Sequence, residues 1–250
     1  MTKLFTTIRH FSQRFALLAA LALISLFATA PAAMAAPSAQ KCAPTDVKCV
    51  IAFGDKLIAD RQTALDKLAD NVTALQQKHH ISDAQADALH TDIKANRDGL
   101  TDIKTKLDAE TSTQAARQDV KNVYEQLRIF AVVIPRDTRH LHLDVEVTLA
   151  DKLRDLEQHL QQAVNNDKDD RKAKLTDLFN DYKAAVADAE SQVDTAQAIF
   201  PMLTVANFNA NHTAFDADLH NLSSAEQKIH TDLHKAASDL HQIAQLLKSK

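Results

Sequence analysis

From Ile51 to Leu247 the apolar residues recur at spacings of three and four, and after position 44 only Pro135 and Pro201 interrupt that rhythm. The spacing puts one apolar stripe on each of a series of helices, because positions three and four apart share a helix face. Proline lacks a backbone donor and clashes with the turn before it, so the two prolines are expected to mark folding turns. Gly54 and Gly99 are the only glycines and tryptophan is absent, which also favours long helices.

The stripes can be followed block by block. Ile51, Ile58, Leu65 and Val72 repeat every seven residues, with Leu57, Leu68 and Leu75 widening the band. Ser82 with Gln85 forms a capping box ahead of Leu89, Ile93, Leu100, Ile103 and Leu107. Further stripes run through Val120, Val123, Leu127, Ala131 and Ile134, then Leu149 to Leu160, Leu175 to Phe200, and Leu222 to Leu247. The expected helices are 46–79, 83–109, 113–134, 138–164, 169–199 and 211–248, with Pro201 to Asn211 as a connecting loop. Residues 36–44 form a lead-in, and 45–250 a single all-α domain. Because each block has only one apolar face, five to six helices are expected to pack as an elongated antiparallel bundle or as packed helical hairpins.

One region reads two ways. Leu141, Leu143, Val145 and Val147 alternate with polar residues, so 129–134 and 141–147 could form a small hairpin within 129–147. A lone hairpin is marginal in water, and the three–four rhythm resumes at Leu149, so the helical reading is preferred.

Residues 1–35 have the layout of a cleaved Sec-type signal peptide. Lys3, Arg9 and Arg14 form a basic head, Phe15 to Ala30 an apolar middle, and Ala33-Met34-Ala35 a small-x-small cleavage site. Lys41 precedes Cys42 where a lipoprotein signal needs a small residue, so no lipid anchor is expected, and no later stretch is apolar enough to span a membrane. Losing the leader takes the formal charge from −4 to −7, since it carries three basic residues and no acidic ones. An acidic chain with dispersed basic residues argues against nucleic-acid binding.

Cys42 and Cys49 are the only cysteines. In an exported chain they read as one local disulfide. Seven residues of continuous helix would hold their Cα atoms roughly 10 Å apart, too far to bridge, so Cys42 is expected in a non-helical lead-in through Pro44.

Two segments resemble elements of uncharacterised secreted bacterial all-helical, coiled-coil-like proteins. Tyr124 to Arg136, with Arg128-Ile129-Phe130 and Val133-Ile134-Pro135-Arg136, is similar to their "R-hydrophobic-aromatic … V-x-P-K/R" element. Leu203 to Asn211 is similar to their "LTPADYNAN" loop, with Val205 at the position of its proline. The resemblance implies an exported all-helical protein and names no chemistry.

Histidine is the compositional anomaly, with eleven after position 35. His212, His220, His230, His234 and His241 fall within about 80° of one another at 100° per residue, beside the apolar stripe of the last helix. His230 and His234 stand at i,i+4, a spacing that suits one Zn, Ni or Cu ion, and Glu226 one turn earlier is a third candidate ligand. His220 and His241 are further candidates; the opposing reading is a solvated histidine flank that also permits a pH response. His140-Leu141-His142 would share a face only in a strand. Two glycines can hardly build a phosphate loop, and no serine elbow is present.

These residues predict an exported, non-enzymatic helical protein of the cell envelope or extracellular space. Its partner would be a protein, an envelope component or a second copy of itself. A transition-metal-binding secreted or periplasmic protein is the first alternative, and an envelope chaperone with an apolar cradle the second.

Overall fold

The computed structural model describes residues 42–167 and 170–248. The leader expected at 1–35, and the lead-in up to Lys41, lie outside the described residues. The chain is all-α: α1 (Val47–Gln77), α2 (Asp83–Ala109), α3 (Thr113–Glu125), a π-helical turn (Ile129–Val133), α4 (Ile134–Asn166), α5 (Lys172–Ile199), a 3-10 turn (Phe200–Met202), α6 (Val205–Ala210) and α7 (His212–Lys248). No helix among the described residues is long and apolar enough to cross a membrane.

Local signals set most helix ends. Asp46 caps α1 by accepting from the Cys49 N–H at 3.0 Å. Ser82 and Gln85 form the expected capping box on α2. α1 stops in a reverse turn in which His79 takes a positive φ of 55°, and the His79 and His80 N–H groups return to the Gln76 and Leu75 carbonyls. Cys42 sits in the non-helical lead-in and Cys49 in the first turns of α1, with a disulfide joining them across a Cα separation of 5.6 Å.

The region around Pro135 takes the preferred helical reading, with no hairpin at 129–147 and no strand among the described residues, but it departs from expectation in two ways. The helix expected over 113–134 ends at Glu125, and the next begins at Ile134 instead of 138. The break falls at Arg128, whose φ of 46° is left-handed, and not at Pro135. Pro135 lies in the first turn of α4, directly after the π turn, whose last bond runs from the Ile134 N–H to the Ile129 carbonyl. The π turn leads into it, with the Arg128 carbonyl accepting from the N–H groups of Ala131, Val132 and Val133. The loop expected over 201–211 is also largely helical: Thr204 caps α6, and Asn211 caps α7 through the Ala214 N–H.

The chain divides into two compact units, one holding 150–188 and 231–250, the other 40–149 and 189–230. The smaller unit is centred on Leu153, Leu160, Leu175, Phe179, Val186, Leu233 and Leu240, with the buried Tyr182 hydroxyl donating to the Leu153 carbonyl. In the larger unit α1 packs on α2 and α3, and α2 on α3, through Leu57, Ile58, Leu65, Leu89, Leu100, Leu107 and Val123. Gly54 makes the approach of α1 possible, because a Cβ there would stand 2.4 Å from Leu107 Cδ2 and 2.9 Å from Val120 Cγ2.

Candidate functional site: a buried ionisable ladder on α4

From Val132 to Leu149 no residue is exposed. Between Ile134 and Leu149, α4 therefore buries or half-buries its polar residues along with its apolar ones, and Asp137, Asp144 and Glu146 are among the most enclosed charged residues described. Helical geometry sorts its ionisable side chains into two ladders on opposite sides. Asp137, His140 and Asp144 form one, and Arg139, His142 and Glu146 the other.

The first ladder meets α2. Arg136 pairs with Asp92 of α2 and with Asp137, its Nε donating to Asp137 Oδ1 at 2.7 Å. Gln85 uses both ends of its amide. Its Oε1 accepts from the Ser82 N–H at 2.8 Å to complete the capping box, and its Nε2 donates to Asp144 Oδ1 at 3.0 Å. The His140 ring stacks on Phe200 with centroids 4.7 Å apart, its Nε2 lying 4.0 Å from Asp144 Oδ1. The second ladder meets α7, where Arg139 donates to Glu226 Oε2.

Burial dominates the electrostatics. It pushes Asp144 up to about 7 against the opposing hydrogen bond from Gln85. It pushes Glu146 up to about 8, with the neighbouring Glu226 adding to the rise. Glu226 is raised by burial although Arg139 pulls it down, and Asp137 is raised by burial against the pull of Arg136. His140 and His142 are lowered, first by burial and then by Arg136 and Arg139 respectively, which favours neutral rings. One oxygen of each of Asp137, Asp144, Glu146 and Glu226 is buried without a hydrogen-bond partner. Chemically the ladders store protons: their carboxyls exchange hydrogen ions near neutral pH instead of near pH 4.

Beside the ladders, the two segments that carry the sequence resemblance lock together. Arg128 Nε donates to Asn209 Oδ1 at 2.9 Å and its guanidinium lies 5.2 Å from the Phe208 ring centroid, while Asn209 Nδ2 donates to the Glu125 carbonyl at 2.9 Å. Arg61 of α1 is held between the Tyr124 and Phe130 rings, 4.7 Å and 5.0 Å from their centroids.

The metal candidates are distributed differently. His220, His230, His234 and His241 are all exposed on α7, whereas the half-buried Glu226 is committed to Arg139. Among the described residues no group of three or more His, Cys, Asp or Glu side chains is placed to hold a metal ion. Sequence reasoning passed over Asp137, Asp144, Glu146 and the Arg139–Glu226 pair. Their one signal was the regular apolar–polar alternation over 140–147, which here marks a helix with no solvent face. Comparison of the chain with family models, with curated proteins and with solved structures gives no match.

Proposed function

We propose that this is an exported, non-enzymatic helical protein of the cell envelope or extracellular space, acting through its surface on a protein or envelope partner or on a second copy of itself. The Cys42–Cys49 disulfide carries this reading, because such a bond persists in oxidising compartments. The export-type leader and the resemblance to secreted helical proteins support it. The surface supports action by contact: exposed pairs such as Lys94–Asp98 and Lys121–Glu125 keep both signs of charge interspersed along the helices.

The test is to express the full chain in a bacterial host, fractionate the cells and sequence the N-terminus. The expected result is an extracytoplasmic protein that begins at Ala36, with both cysteines oxidised and its sedimentation coefficient rising with concentration. A full-length, reduced protein in the cytoplasm would overturn the proposal. Native mass spectrometry of the same preparation after Zn, Ni or Cu addition is expected to retain no stoichiometric ion. An ion lost on joint His230→Ala and His234→Ala substitution would replace this reading with the metal-binding one.

A further inference from the structure

Glu146 lies on the side of α4 that meets α7, close enough to Glu226 for the two charges to act on each other, and the one guanidinium on that side, Arg139, is paired with Glu226. Glu146 is 7% exposed. Arg139 is spent on Glu226 Oε2, leaving Glu146 Oε2 and Glu226 Oε1 without hydrogen-bond partners. The other titratable group on this side of α4 is His142, whose ring is kept neutral by burial and by Arg139 and so brings no second positive charge. Arg136, Asp137, His140 and Asp144 lie on the opposite side of α4, where Arg136 meets Asp92 and Asp144 meets Gln85 of α2.

We propose that Glu146 and Glu226 form a proton-operated latch within the larger unit: a protonated Glu146 lets 212–230 close on 134–149, and release of that proton to solvent loosens the contact. With Glu146 neutral, the enclosure holds one carboxylate and one guanidinium, a balanced set. With Glu146 ionised it holds two carboxylates for one cation, and the excess charge has no exposed face of α4 to turn toward. Two like charges sharing such a space cannot both ionise without cost. In the closed form the Glu146 proton is held to about pH 8. A released, solvated glutamic acid holds it only to about 4.3. The closed form therefore binds the extra proton between these limits, and its advantage shrinks as pH rises through that window. The opening constant grows by up to roughly tenfold per pH unit there.

Hydrogen-exchange mass spectrometry of the intact protein from about pH 6 to about pH 9, corrected for intrinsic exchange, reads that constant directly. Peptides from 134–149 and 212–230 are expected to open at least tenfold more often at the alkaline end. Glu146→Gln, which keeps the shape and removes the charge, is expected to abolish most of the rise over 212–230. Asp144→Asn on the opposite ladder is expected to leave the rise over 212–230 in place. An equal rise in Glu146→Gln and wild type would overturn the latch, as would its loss in Asp144→Asn alone. Titration of the ¹³C-labelled glutamate carboxyls of the unaltered protein needs no variant to fold. One glutamate titrating above about pH 7 is expected, and every glutamate titrating below about pH 6 would overturn the proposal.

Discussion

Arg61 shows how a single charge can be kept inside a helical core. It is 5% exposed, its Nη1 donates to the Leu57 carbonyl at 2.9 Å, and its Nε has no hydrogen-bond partner. Burial pulls its pKa down, and the nearby Tyr124 opposes this; guanidinium stays charged throughout the accessible pH range. What replaces water is the pair of ring faces of Tyr124 and Phe130, suited to a flat, weakly hydrated cation and poorly suited to an ammonium. Arg61→Lys is therefore expected to cost about 1–2 kcal/mol in urea unfolding, despite conserving the charge. Arg61→Met, which removes the burden of desolvation as well as the cation–π contacts, is expected to cost less than the lysine. A lysine variant as stable as wild type would show that the rings contribute packing alone.

At the scale of elements, α4 differs from its neighbours in having no exposed residue over 134–149. An exposed face is what makes a helix readable. Where one exists, as along Leu57 to Val72 or Leu222 to Leu240, the three–four rhythm marked the buried side correctly. Along α4 the polar residues at 140, 142, 144 and 146 are enclosed too, so the pattern there imitated strand alternation. The ladders were illegible for a second reason, which is that their partners are remote in sequence. Gln85 reaches Asp144 across 59 positions and Arg139 reaches Glu226 across 87, whereas the disulfide and the capping box span seven and three and were both readable. Element packing also sets the role of Gly54. Gly54→Ala improves helix propensity by about 1 kcal/mol but drives a methyl into Leu107 and Val120 at the contacts of α1 with α2 and α3. Overpacking of a tight core costs about 1–3 kcal/mol, so a net loss of about 1 kcal/mol is expected, read from the denaturant midpoint. Similarly, Asn209→Ala removes both the acceptor for Arg128 and the donor to the Glu125 carbonyl, and is expected to cost about 1–2 kcal/mol.

At the scale of the whole molecule, the enclosed carboxyls of α4 invert the usual acid response, since their raised pKa values favour the folded chain at mildly acid pH and disfavour it toward pH 8. Stability should therefore peak on the acid side of neutrality, below the pH where Asp144 and Glu146 ionise. The disulfide adds a contribution independent of that profile. Closing a loop of this length restricts the unfolded chain by about 2 kcal/mol in the loop-entropy account, and Cys42 further anchors the lead-in through its carbonyl, which accepts from Arg117 of α3 at 3.1 Å. Reduction is expected to lower the melting temperature by a few degrees at every pH without moving the stability maximum. A melting temperature unchanged by reductant would mean that the lead-in frays before the helices unfold. The bond would then protect the terminus of α1 without stabilising the fold.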